Sequence, residues 1–108
     1  MLESGFPARP SGPGTVVMEV GAGVGALVLY TPADLDGAEI EISPEPGYPG
    51  ARRTHSRVRP RHLPGGTRYA AVYPGLPEGR YTIWAGPDQA AGTVDITGGQ
   101  ISNWSWPA

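Results

Sequence analysis

The chain has 108 residues, no cysteine and a formal net charge of −2, and all eight of its basic residues are arginine. That length predicts one domain with a modest core. The missing cysteines exclude disulfide frameworks, thiolate catalysis and cysteine zinc sites. The acidic balance argues against nucleic acid, whose binders carry a strongly basic face. No apolar run approaches the ~20 residues that a membrane-spanning helix needs.

Residues 1–14 hold three prolines and three glycines with little apolar periodicity, which predicts a flexible leader before a single domain at 15–108. The first ten residues lack a basic stretch and an apolar stretch, so no secretory signal is expected and the cytoplasm is the expected location. From Thr15 the chain reads as short extended segments between turn signals. Thr15 to Val20 is a first strand, Gly21 to Gly25 a kinked connection, and Gly25 to Thr31 a second strand. Pro32 to Gly37 turns. Ala38 to Ser43 then alternates, with Ile40 and Ile42 on one face and Glu39 and Glu41 on the other. Pro44 to Gly50 is a loop, and Arg52 to Arg61 is a single extended segment. After the Leu63-Pro-Gly-Gly turn, Thr67 to Tyr73 forms a strand that Pro74-Gly75 and Pro77-Glu78-Gly79 break. Arg80 to Ala85 resumes it. Ala91 to Thr97 and Gln100 to Trp106 are joined by Gly98-Gly99, a two-residue hairpin signal. Seven or eight strands at this spacing, with no helical period, predict an all-β sandwich or small barrel.

The charges form a ladder. Five acids and no base lie between Asp34 and Glu45, and six arginines and no acid between Arg52 and Arg68. An antiparallel hairpin whose paired numbers sum to 98 sets Glu41 opposite Arg57, Glu39 opposite Arg59, Glu45 opposite Arg53 and Ile40 opposite Val58. One parity then carries the charges and the other the branched apolar residues. The favoured reading is a solvated face of opposed charges. The alternative is that the surplus arginines Arg52, Arg61 and Arg68 form an anion or phosphate site with His55, with Arg57 and Arg59 also candidate ligand-binding residues, because guanidinium forks suit planar bidentate partners.

Other constellations are weaker. Gly21-Ala-Gly-Val-Gly-Ala26 fits the dinucleotide fingerprint in letters, but β-formers follow it where a helix must open. His55 and His62, seven residues apart, face opposite sides of a straight strand, and no third metal ligand has suitable spacing. Asp34-Leu-Asp36-Gly37 reads as a turn, because the remaining ligands of a calcium loop are missing. His55 and Ser56 are adjacent, so they point apart and form no nucleophile–base pair. Trp104 and Trp106 share a face of the last strand, as a stacking platform for a sugar or as cover for the open core, with core or oligomer contact favoured.

Gly66-Thr-Arg-Tyr-Ala-Ala-Val-Tyr-Pro-Gly-Leu-Pro-Glu-Gly-Arg-Tyr-Thr-Ile83 resembles the signature of carboxypeptidase-regulatory-like domains, which have the transthyretin (prealbumin)-like fold. Ala91 to Ile96 with Gly98-Gly99 is similar to their final strands. The likeness covers residues 66 to 106 well and 26 to 43 loosely. Glu78 stands where a second proline is common, and the Gly21–Gly25 run replaces the usual opening strand. The chain also resembles small actinobacterial proteins that carry a phospholipase label, although no residue here supports that chemistry. The resemblance implies a Greek-key sandwich used as a scaffold or interaction domain, and it carries no catalytic residue across.

The expected function is a non-enzymatic binding or protein-interaction module with no cofactor or metal. Its expected partner is a protein or a second copy, met at an edge strand or the C-terminal tryptophan face. The alternatives are a carbohydrate-binding module using Trp104, Trp106 and Tyr48, and a small hydrolase centred on His55 with the Arg52–Arg68 strand holding an anion.

Overall fold

Alternating apolar and polar residues build eight strands in the computed structural model, which describes residues 17–45 and 52–107. They are β1 (Val24–Thr31), β2 (Glu39–Pro44), β3 (Thr54–Arg57), β4 (Arg59–Leu63), β5 (Gly66–Pro77), β6 (Gly79–Trp84), β7 (Ala90–Ile96) and β8 (Ile101–Ser105). A single 3-10 turn, Ala33–Leu35, follows β1. Sheet I has the order β4-β5-β1-β8 and sheet II the order β3-β2-β6-β7. All neighbours are antiparallel except β1 and β8, which run parallel. No helix among the described residues is long and apolar enough to cross a membrane.

The inward parity of each strand fills the space between the sheets. Leu27 and Leu29 of β1, Ile42 of β2 and Ile83 of β6 are fully buried, with Tyr73, Leu76, Tyr81 and Ile96 around them. Leu76 enters the core at the end of β5. The Pro77-Glu78-Gly79 turn, with Gly79 at φ +142°, then carries the chain to sheet II. There the Tyr81 hydroxyl donates back to the Pro77 carbonyl at 2.6 Å.

Four expectations need correction. The Arg52–Arg61 segment is not one strand. It divides at Val58, which is fully buried, donates to the Ala38 carbonyl and accepts from the Gly37 amide, so β3 stays in sheet II and β4 joins sheet I. Gly98-Gly99 makes no hairpin, because β7 lies in sheet II and β8 in sheet I beside β1. Pro74-Gly75 do not break β5. β4 reaches only as far as Ala70, so the proline nitrogen falls on an edge where no ladder bond is lost. Residues 17–20 form no strand, since Gly21 and Val24 exchange two hydrogen bonds and turn the chain there. The expected leader, residues 15–16 and most of the Pro44–Gly50 loop lie outside the described residues.

The register is also displaced. β2 pairs with β3 at Glu39–Arg57, Ile40–Ser56 and Glu41–His55. Those numbers sum to 96, a slip of two from the ladder read above. A two-residue slip keeps every side chain on its face, so charge alternation selects parity and leaves the register to the Val58 crossing.

Two serines close the open sides of the sandwich. Beyond Ala70 no strand pairs with the outer edge of β5; the Glu19 amide donates to the Pro74 carbonyl at 2.8 Å, and at Val72 the Ser56 hydroxyl takes the place of a partner strand. It donates to the Val72 carbonyl at 2.7 Å and accepts from the Val72 amide at 3.2 Å. On the opposite side Ser102 of β8 donates to the Asp95 carbonyl of β7 at 3.2 Å. Replacing Ser56 by alanine leaves a half-buried amide and carbonyl without partners. Denaturant unfolding of the variant is expected to show a loss of about 1–3 kcal/mol. The single exposed bond of Ser102 is expected to contribute less than ~1 kcal/mol in the same assay.

Candidate functional site

The residues that the sequence marks as a site fall in three places. His55 and Arg57 stand on the outer face of sheet II. Arg59 and Arg61 stand on the outer face of sheet I. Trp104 and Trp106 lie on the inward side of β8. The Val58 crossing therefore separates His55 from the arginines that follow it.

On sheet II every basic side chain has a nearby carboxylate. Glu39 receives the His55 ring Nδ1 at 3.0 Å and the Arg57 guanidinium at 2.8 Å, and Arg57 also donates to the Gly37 carbonyl. Arg53 binds Glu41 at 2.9 Å and the Pro87 carbonyl at 2.7 Å, and its guanidinium lies 3.9 Å from the Trp84 ring centre. Arg80 pairs with Asp95 at 2.8 Å. The hydrogen bond from Arg80 holds the Asp95 carboxyl below the usual carboxylate range and raises the guanidinium in turn. Both groups are exposed, so water screens most of that attraction. Beneath this belt, Glu45 accepts from Thr82 and Ser43 accepts from the Trp84 indole.

A cleft of about 500 Å³ opens at the end of the sandwich where Leu35, Ala38, Glu39, Arg53, Trp84 and Trp106 meet. Its indoles are already engaged. One face of Trp84 is covered by Arg53, and its nitrogen is held by Ser43. Trp104 and Trp106 meet edge to face, 6.0 Å apart and 89° between planes, so they share no common stacking plane. Trp104 instead lies on Gly92 of β7, where an added Cβ would sit 2.7 Å from the ring. Both tryptophans pack against the core from its open side. Tyr48 lies outside the described residues.

His55 is oriented by Glu39, but the hydroxyl nearest in sequence, Ser56, points to the other side of the strand and is committed to Val72. His62 is in sheet I and its ring contacts the Thr67 hydroxyl at 3.2 Å. Among the described residues no three of His, Asp and Glu are grouped to hold a metal ion.

The outer face of sheet I differs from that of sheet II. Arg61 stands directly opposite Arg68, and Arg59 opposite Ala70. The Arg61 guanidinium donates through two nitrogens to the Ala70 carbonyl at 3.2 and 3.0 Å. Arg68 lies 3.8 Å over the ring of Tyr30. Partial burial, together with the charge of Arg59, pushes the Arg61 guanidinium below its ordinary value. Sequence reasoning counted Arg68 among the arginines of a candidate anion site and named Arg53 only as the partner of Glu45, and it missed Tyr30 and Trp84. The contacts of all four cross strands, so no local spacing signals them. No family profile, curated protein or solved structure matches the chain.

Proposed function

We propose that the chain is a non-catalytic interaction module on a transthyretin-like, Greek-key sandwich, and that it self-associates through the edge of β8. The chain moves between sheets in pairs, I-II-II-I-I-II-II-I, which suits a Greek-key path. The Leu76–Ile83 signature sits at one of those crossings and supports the transthyretin-like reading.

The observation that carries the proposal is that β8, an edge strand, carries neither charge nor proline. Natural edge strands are protected by charge, proline or brevity. β3 carries Arg57 beside His55, β4 carries Pro60 between two arginines, and β7 gives its Asp95 carbonyl to Ser102. β8, Ile-Ser-Asn-Trp-Ser, has neither charge nor proline, and Ile101 is half exposed. The Trp106 amide bonds β1 at the Tyr30 carbonyl, so by alternation the amides of Ile101, Asn103 and Ser105 point outward. Pairing of two β8 strands about a two-fold axis would extend sheet I into one continuous sheet across both copies.

Light scattering is expected to give the mass of a dimer. Asn103→Pro removes an outward amide and no internal bond, and Asn103→Lys adds a charge to the edge. Both are expected to give folded monomers with dissociation weakened at least tenfold. A monomeric wild-type chain, or a dimer that survives both substitutions, overturns the proposal.

A further inference from the structure

Among the strands, carboxylates are confined to sheet II. The four strands of sheet I contain Arg59, Arg61 and Arg68 and no Asp or Glu, whereas β2 and β7 of sheet II carry Glu39, Glu41 and Asp95. All three arginines project from the outer face, because the opposite parity of the central strands holds Leu27, Leu29, Ala71 and Tyr73 in the core. Among the described residues, neither Arg59 nor Arg68 has a carboxylate within ion-pair distance. Like charges directly opposite one another weaken a sheet, so packing alone gives no reason to set Arg61 against Arg68.

The arrangement is held in place. Tyr30 fixes the Arg68 guanidinium by stacking, and the Ala70 carbonyl fixes that of Arg61. Positions two apart on a strand are separated by about 7 Å and neighbouring strands by about 4.8 Å. The three stems therefore rise from one small patch rather than along a track. A carboxylate would occupy one guanidinium fork, whereas a tetrahedral dianion offers oxygens to several at once. A polyanion is disfavoured, because the patch is small and the net charge of the chain is −2.

We propose that Arg59, Arg61 and Arg68 on the outer face of sheet I bind a phosphate group, as inorganic phosphate or a small phosphomonoester, with Tyr30 holding Arg68 in position. The site is separate from the β8 edge, and its test does not depend on the oligomeric state.

Inorganic phosphate and glycerol 3-phosphate, titrated separately at constant ionic strength with sodium chloride as balance, are the probes. Amide chemical shifts are the readout. Saturable shifts at Arg68, Ala70 and Tyr30 with millimolar dissociation constants are expected for at least one probe. Arg59→Gln and Arg68→Gln are each expected to weaken binding about tenfold, and Tyr30→Leu about threefold. Arg57→Gln, which changes net charge equally but on sheet II, is expected to leave binding unchanged. Response to the ester alone supports a phosphomonoester ligand. Linear drift with both probes, or equal weakening by Arg57→Gln, overturns the proposal.

Discussion

Gly25→Ala is expected to lower stability by about 3 kcal/mol, and the melting temperature by roughly 10–20 °C. Gly25 is buried near the start of β1, where the connection from β7 to β8 passes over it. An added Cβ would sit 2.4 Å from the Thr97 carbonyl oxygen, 2.8 Å from an Ile96 methyl and 3.1 Å from the Gln100 carbonyl oxygen. Two of those three atoms are backbone and cannot swing aside. They are also held in place, since the Ala26 amide donates to the Gln100 carbonyl and the Gly99 amide to that of Val24. Relief therefore requires the crossing to lift, which would loosen β8 from β1. Gly21→Ala serves as the control. It meets open space and lies in the same glycine run, so it is expected to change stability by less than ~1 kcal/mol. Thermal unfolding of both variants checks the pair, and equal behaviour would show that the crossing is not tightly packed.

The same crossing explains the Gly21–Gly25 run, whose letters match a dinucleotide fingerprint. Gly23 takes φ +72°, and a Cβ on Gly98 would lie 2.7 Å from the Gly23 nitrogen. The glycines let two stretches of backbone touch. Glu78 completes the contact by accepting from the Gly98 amide at 3.1 Å, and its own amide donates to the Gly23 carbonyl. The glutamate that departs from the resembled signature thus ties the turn before β6 to the turn before β8.

Local patterns carried the strands, because the parity of Ile40 and Ile42, or of Tyr81 and Ile83, follows from burial of one face. Sheet membership was not legible. Whether a segment pairs with its neighbour or crosses to the other sheet depends on contacts distant in sequence, and Gly98-Gly99 serves a crossing as readily as a hairpin. Val58 looks like one more apolar residue of a charged strand, yet its burial between the sheets divides Arg57 from Arg59 and splits the expected arginine site. The candidate site was legible as a set of residue types and illegible as a place. Arg68 and Tyr30 meet only because β5 lies between β4 and β1.

Stability is expected to fall above about pH 10, and Tyr73 is the main cause. Its ring is in the core and its hydroxyl donates to the Ile40 carbonyl of β2 at 2.5 Å, a bond that links the two sheets. Burial pushes the phenol well above its ordinary value of 10.0, with the charge of Glu41 adding to the rise and a backbone hydrogen bond near Ser56 partly offsetting it. Burial raises Tyr81 as well. A folded-state value above the unfolded one means that the native chain keeps its proton after the unfolded chain has lost it. The contribution is whole below the unfolded value and is lost as pH climbs from there towards the folded value. The loss per buried phenol approaches ~1.4 kcal/mol for each pH unit in that window. Tyr73→Phe removes the titrating group. At pH 7 it is expected to cost about 1–2 kcal/mol for the lost hydrogen bond. Between pH 10 and 11.5 its unfolding free energy is expected to decline more slowly than that of the wild type, so the two curves converge. Urea unfolding across that range checks the slopes. Parallel curves would assign the alkaline loss to Tyr81 instead, because only a buried Tyr73 phenol makes the slope depend on this one oxygen.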